Sequence, residues 1–332
     1  MKLLPKYRTI LITGGTGSFG NEVLDNFLKL KNIKEIRIFS RDELKQDNMR
    51  KKYNNQKLKF IIGDVRDKNS IENASNKVDL IFHAAALKQV PSCEFFPEEA
   101  VKTNFIGSKN VIESAIKNKV SKVILLSTDK AVEPINAMGM SKALMEKLAI
   151  SYTKNTSSNS TIINCVRYGN VLASRGSVVP LMIDKVKADK SIPITNEKMT
   201  RFLLTLKDAI ELVIFAANKG KPGEIFIKKA PSAKIIDLAI CLFEIFNKKR
   251  NIKYIGIRHG EKIHETLVSQ SEIIKSIETK SHFKIPIDNR ELNYENFFSS
   301  GKKVNNIKDS YRSDNQKLLN KNQIKKILLK LI

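Results

Sequence analysis

The sequence predicts an α/β protein: a doubly wound parallel sheet followed by a smaller mixed α/β domain. Three observations predict this. Short apolar, β-branched runs alternate with segments of helical period through the first half; a glycine-rich turn follows the first run; and after about Val171 the alternation loosens into shorter pieces between polar loops. The expected division is 1–170 for the sheet domain, with some later segments returning to it, and 171–332 for the second domain.

Residues 9–13, 35–39, 59–62, 80–83, 122–126 and 161–166 read as strands buried on both faces, being apolar at successive positions. Between them, 19–30, 100–117 and 142–152 carry apolar residues at helical spacing. Strand–helix alternation of this kind implies a parallel sheet with helices on both sides. Ligands of such sheets sit beyond the carboxyl ends of the strands, so the residues just after each strand are the candidates for function. In the second half, 207–218 and 232–247 read as helices and 224–227 and 253–257 as strands, and 281–332 ends in an apolar-periodic helix. There is no internal repeat.

With 332 residues, 42% of them hydrophobic, the chain can bury a large core. No stretch approaches the roughly 18–20 apolar residues that span a bilayer, so no membrane insertion is expected. The first residues run into a strand without the features of a signal peptide. Three scattered cysteines suggest neither a disulfide framework nor a zinc site, and the four histidines lack ligand spacing, so no metal and a cytoplasmic setting are expected. The net charge of +25 is carried by lysines spread through the chain, usually beside asparagine. They read as solvated residues rather than a polyanion surface, and no zinc-finger, RNP or homeodomain pattern points to nucleic acid.

The first strand ends in Thr13-Gly14-Gly15-Thr16-Gly17-Ser18-Phe19-Gly20. Glycine at 14, 17 and 20 turns the chain tightly, brings backbone N–H groups to a pyrophosphate and lets helix and strand pack closely. A glycine triplet alone is a weak signal. This one follows a strand, opens a helix and begins a βαβ unit, as a Rossmann-type dinucleotide site requires. The second strand ends in Phe39-Ser40-Arg41-Asp42. An NAD site usually places an acidic residue here for the ribose 2′-hydroxyl. Ser40 and Arg41 occupy the position, with Lys45 one turn on, and a guanidinium suits a 2′-phosphate. NADP is therefore the expected cofactor, against the alternative of a surface arginine paired with Asp42 or Glu43.

The G-x-x-G-x-x-G spacing resembles the extended short-chain dehydrogenase/reductase family. That resemblance implies that Asp64, in Gly63-Asp64-Val65, lies near the adenine, with Val65 also at the cofactor. It likewise implies that Ala84, Ala85 and Ala86 lie beneath the cofactor and that Asn104 is structural. The family's usual active site is Ser or Thr after the fifth strand, then Tyr-x-x-x-Lys on the next helix, where the lysine lowers the tyrosine pKa and holds the nicotinamide ribose. Thr128 and Lys142 match; Met138 stands at the tyrosine position. Residues 138 and 142 share one helix face, so only the phenol is missing.

Asp129-Lys130 directly after Thr128 is a sharper clue. Adjacent Asp and Lys can supply acid and base if their site moves both toward neutrality. Together with Ala84-Ala85-Ala86-Leu87-Lys88-Gln89-Val90-Pro91, Arg167-Tyr168-Gly169-Asn170-Val171, Ser174-Arg175-Gly176-Ser177-Val178, Met199-Thr200-Arg201-Phe202 and Arg258-His259-Gly260-Glu261-Lys262, this pair resembles the inverting UDP-N-acetylglucosamine 4,6-dehydratase/5-epimerase group. A capsule and O-antigen subgroup is similar even in the methionine. The match runs in order over nearly the whole chain.

The resemblance implies a UDP-N-acetylhexosamine substrate, a homo-oligomer, and a UDP site formed by Lys88, Asn170, Arg175, Ser177, Val178, Arg201, Arg258 and Glu261, most of them in the second domain. Arginine forks suit a diphosphate, although any one arginine is as readily a surface ion-pair partner. The expected reaction oxidises C4, after which neutral Lys130 takes the C5 proton and protonated Asp129 assists loss of the 6-hydroxyl. The 4-hydroxyl is left to Thr128, helped by Lys130, Lys142 or a water. Two alternatives stand beside this reading. A UDP-sugar 4-epimerase needs no Asp-Lys pair but suffers most from losing the tyrosine; a non-catalytic NADP-binding regulator or nucleic-acid module would account for that loss and for the charge.

Overall fold

The computed structural model describes residues 3–155, 161–172, 177–287 and 308–332. The strands of the first half are β1 Thr9–Thr13, β2 Glu35–Ser40, β3 Leu58–Ile62, β4 Leu80–His83, β5 Lys122–Leu126 and β6 Ile162–Arg167. Later strands are β7 Asn170–Val171, β8 Ile192–Ile194, β9 Thr200–Leu204, β10 Ile225–Lys228, β11 Ser232–Lys234, β12 Ile252–Tyr254, β13 Thr266–Val268, β14 Ile277–Glu278, β15 His282–Ile285 and β16 Tyr311–Arg312. The helices are α1 Ser18–Phe27, α2 Glu43–Tyr53, α3 Lys68–Ala74, α4 Val90–Phe95, α5 Pro97–Ala100, α6 Gly107–Lys117, α7 Ala137–Asn155, α8 Val178–Lys187, α9 Leu206–Lys219, α10 Ile235–Ile245, α11 Gln270–Ile273 and α12 Lys321–Leu328.

The α/β class read from the sequence is the one observed. Among the described residues a nine-stranded sheet runs β14-β15-β10-β6-β5-β4-β1-β2-β3, parallel from β10 to β3 and antiparallel where β15 and β14 close one edge. Side chains alternate along each strand, so β1 sends Leu11 to one face and Ile10 and Ile12 to the other. The first face packs under α3, α6 and α7 through Ile71, Val111, Ile112 and Met145. The second packs under α1 and α9 through Val23, Leu24, Ile210 and Val213. Each such side chain contributes about 1.5–3 kcal/mol by leaving water. A separate core in the second half joins α8, α10 and α12 through Met182, Val186, Leu238, Leu242, Ile324 and Leu328.

The chain passes from β1 outward to β2 and β3, then returns to β4 on the other side of β1. That reversal opens a crevice beyond the carboxyl ends of β1 and β4, where a ligand of such a sheet binds.

Three elements differ from the pattern in the sequence. The helix expected over 100–117 is α5, a six-residue π-helical turn Val101–Ile106, and α6. The wide turn carries Asn104, whose amide donates to the Leu87 carbonyl and whose oxygen accepts from the Leu87 N–H, pinning the segment after β4. Helix α7 begins before Lys142, because Glu94 accepts from the Ala137 N–H and Asn136 from the Gly139 N–H. Helix α10 begins at Ile235 rather than 232, because Ser232–Lys234 pairs antiparallel with β9.

Candidate active site

The glycine turn is built for close approach. Gly14 has φ +63, and a Cβ there would lie 2.8 Å from the Ala85 backbone. A Cβ on Gly20 would overlap the Gly15 carbonyl, so β1 and α1 can meet only without side chains at these places. Gly17 caps α1 in extended conformation with no side-chain hydrogen bond, which leaves first-turn N–H groups for an anion. Thr16 and Ser40 hydroxyls hydrogen-bond at 2.9 Å, tying the turn to the end of β2. A cradle that a Cβ would fill, at an uncapped helix N-terminus, fits a dinucleotide pyrophosphate.

At the end of β2, Arg41 reaches Asp64 only at 3.4 Å, and its side chain is 54% exposed. Asp64 is held mainly by Arg66, whose Nε and Nη2 donate to it at 2.8 and 2.7 Å. Burial pushes the Asp64 carboxyl up, but the Arg66 hydrogen bonds outweigh it and the pKa falls below its usual value. Lys45 pairs with Asp42 and also lines the cavity described next.

A cavity of about 490 Å³ lies over the carboxyl ends of β1, β4 and β5. Gly14, Thr16, Gly17, Ser18, Phe19, Lys45, Ala84, Ala85 and Ala86 line it from the dinucleotide side; Thr128, Asp129, Lys130, Met138 and Lys142 line it from β5 and α7. Gly20, Ser40, Arg41, Asp64 and Val65 do not line it. Four buried polar atoms in the lining, Ser127 Oγ, Asp129 Oδ2, Asn170 Oδ1 and Ser177 Oγ, have no hydrogen bond among the described residues. Leaving such an atom unpaired costs about 1–3 kcal/mol, so these four are available to pair with a ligand's polar atoms.

At the end of β5 the Thr128 hydroxyl donates to Asp129 Oδ1 at 2.8 Å. Lys130 Nζ donates to the same oxygen at 3.1 Å and lies 3.3 Å from Glu265 Oε1. Burial pulls the Lys130 pKa down, but the charges of Asp129 and Glu265 outweigh it and raise it above the usual value. The two carboxylates thus favour the ammonium form of Lys130. Lys142 is buried and donates to the Leu126 carbonyl at 2.9 Å. Burial pushes its pKa down to about 8, although Glu146 one turn on pulls it up. Met138 is 4% exposed and packs with Cys93 and Ala100. Tyr168 lines the cavity, but burial pushes its phenol up, the opposite of what a base needs.

Among the candidate UDP residues, Lys88, Asn170 and Ser177 line the cavity, and Val178 opens α8 beside Ser177. Arg175 lies outside the described residues. Arg201 is buried, and its guanidinium donates to the Thr200, Ile263 and Lys262 carbonyls at 2.8, 3.1 and 2.8 Å. Arg258 is paired with Glu261 at 2.6 Å, and Glu261 also accepts from Thr195. The strap 258–262 is fastened over the loop after Lys130, where Lys262 donates to the Val132 carbonyl and Asn136 to the Gly260 carbonyl, both at 2.8 Å. Sequence reasoning missed Glu265 and gave Tyr168 no role. A lone glutamate far along the chain carries no signal of its own, and Tyr168 stands inside a motif noted for its neighbours.

The family model described as "Polysaccharide biosynthesis protein" matches residues 10–286, and its C-terminal companion matches 288–332. The chain belongs to this polysaccharide biosynthesis family. Within it, a protein of Rickettsia rickettsii (strain Sheila Smith) named UDP-glucose 4-epimerase is 54% identical over 98% of this chain and 96% of its own length. The solved structure of Pen from Bacillus thuringiensis is 35% identical with a TM-score of 0.90, covering 99% of this chain and 98% of that one. DesIV, a dTDP-glucose 4,6-dehydratase from Streptomyces venezuelae with NAD and TYD bound, is 18% identical with a TM-score of 0.70, covering 77% of this chain and 86% of that one. At that identity the likeness is one of fold. The wider resemblance to extended short-chain dehydrogenase/reductases stands.

The finer expectation, a UDP-N-acetylglucosamine 4,6-dehydratase inverting C5, is overturned by the family relative at 54% identity that is named a 4-epimerase. The geometry gives a physical reason. The expected mechanism needed a neutral Lys130 to take the C5 proton, and the two carboxylates beside that amine favour its charged form. Among the described residues no helix is long and apolar enough to cross a membrane.

Proposed function

We propose that this chain is an NADP-dependent enzyme that epimerises a UDP-hexose at C4. The observation that carries the reading is the Thr128–Asp129–Lys130 arrangement: a hydroxyl already donating to a carboxylate, beside an ammonium. Epimerisation at C4 needs one proton relay on the 4-hydroxyl and no base at C5. A nicotinamide dinucleotide on the glycine turn supplies reversible oxidation at C4.

Thr128 accepts the 4-hydroxyl proton as its own proton passes to Asp129. This relay takes the place of the phenol missing at Met138. Lys130 stabilises the negative charge that develops on the sugar oxygen, an effect strengthened where water is excluded. Lys142 lies along the same wall. The unpaired oxygens of Asn170 and Ser177 offer hydrogen bonds to the nucleotide sugar. The name of the Rickettsia rickettsii relative supports UDP-glucose as the first substrate to test. Incubation with UDP-glucose or with UDP-galactose should converge on one ratio of the two, read by ion-exchange chromatography. A chain that interconverts neither pair of UDP-hexoses nor UDP-N-acetylhexosamines would contradict the reading.

Preference for NADP rests on Arg41 and Lys45, since β2 ends without a carboxylate at the ribose position. Arg41→Ala is expected to weaken NADP binding about tenfold to a hundredfold, the worth of charge-assisted hydrogen bonds to one phosphate. NAD binding should barely change. Titration calorimetry with both nucleotides checks this; equal losses for the two would remove Arg41 from the 2′-phosphate.

A further inference from the structure

Glu265 is 2% exposed and precedes β13, far along the chain from β5. Its Oε1 lies 3.3 Å from Lys130 Nζ and 3.7 Å from Arg201 Nε. Its backbone is fastened on both sides of Ser313: the Glu265 N–H donates to Ser313 Oγ at 3.0 Å, and the Ser313 N–H to the Glu265 carbonyl at 2.9 Å. Its other oxygen, Oε2, is buried without a hydrogen bond among the described residues. A buried carboxylate is costly unless charge compensates it, so one that sits on a fastened backbone and faces Lys130 and Arg201 sets the charge around that lysine.

We propose that Glu265 is a positioning residue that pins the Lys130 ammonium against Asp129, so that the second half of the chain sets the charge of the catalytic segment. Lys130 then stays charged and in place while Ser313 fastens the Glu265 backbone and Arg201 faces its carboxylate. The charged groups bearing on Lys130 are Asp129 on its own turn, Glu265 before β13, Arg201 on β9, and Lys262 on the strap. The two carboxylates favour its charge; the two cations and burial oppose it. Removing one carboxylate therefore shifts the balance toward the neutral amine.

The proposal rests on the epimerase reading for its kinetic consequence but not for its chemical one, and two readouts separate them. In the Glu265→Gln variant, Lys130 should react faster with an amine acylating reagent, about tenfold at a given alkaline pH for a pKa lowered by about one unit. Peptide mass spectrometry on the full chain reads this without any turnover. In steady-state assays with UDP-glucose, the alkaline limb of kcat should move to lower pH by about one unit, because the ammonium is lost sooner as pH rises. KM should change little, and Glu265→Asp should restore the limb in part. An unmoved Lys130 labelling profile overturns the proposal, even if Tm falls. Shifted labelling in a chain without epimerase turnover upholds the positioning role and rejects the reaction assigned to the site.

Discussion

Asp129→Asn is expected to lower kcat for UDP-hexose epimerisation by about a hundredfold to ten-thousandfold, the usual worth of a positioned general base. Asparagine keeps an oxygen that can accept from Thr128 at the 2.8 Å now seen, so the turn after β5 can persist. It cannot take up the proton that Thr128 passes on. Because the lesion lies in proton transfer rather than in holding the nucleotide, KM should stay near that of the parent. Steady-state rates with UDP-glucose and UDP-galactose check this, with Tm as the control for folding. A variant within about fivefold of the parent would move the base elsewhere, with Lys142 the next candidate, since burial already brings its pKa down to about 8.

Arg167→Met is expected to cost about 3–5 kcal/mol of stability, the loss seen when one partner of a buried ion pair is removed. Arg167 ends β6 at 1% exposure. It donates to Glu146 on α7 at 3.1 and 2.5 Å, to Glu272 on α11 at 2.9 and 3.0 Å, and to the Leu267 carbonyl at 2.9 Å. One guanidinium thus joins the sheet to the helix bearing Lys142 and to the segment that follows Glu265. Burial pushes the Glu272 carboxyl up, but Arg167 outweighs it and the pKa falls below its usual value. A depressed carboxylate contributes stability above its unfolded pKa and loses it as pH falls through the folded pKa. The gap between parent and variant should therefore be widest near neutral pH and narrow in acid. Thermal unfolding from pH 7 downward reads it, as a Tm difference on the order of 10 °C at pH 7. A difference below about 1 kcal/mol, or one constant with pH, would show that the network does not hold these elements.

Much of the sheet was legible because its strands are buried on both faces. β1, β4 and β5 begin and end where the apolar runs do, and their carboxyl ends carry the glycine turn, the alanine floor and Thr128-Asp129-Lys130. What could not be read was whatever depends on a partner distant in sequence. Asp129-Lys130 looked like an acid and a base because the second carboxylate, Glu265, meets Lys130 only in the folded chain. Arg201 suggested a fork for a diphosphate, yet it is buried against the main-chain carbonyls of Lys262 and Ile263. The π-helical turn at Val101–Ile106 was hidden for the same reason, since Asn104 finds its partners at Leu87 and Ser141.

Epimerisation at C4 leaves the C5 proton in place. Its most direct test is incubation with UDP-glucose and with UDP-N-acetylglucosamine in deuterated water, followed by mass spectrometry and proton NMR of the products. The expected product is the C4 epimer of at least one substrate, with unchanged mass and the C5 proton retained. A product lighter by one water, with a new methyl group and solvent deuterium at C5, would contradict it and would require Lys130 to act as a base despite its two carboxylates.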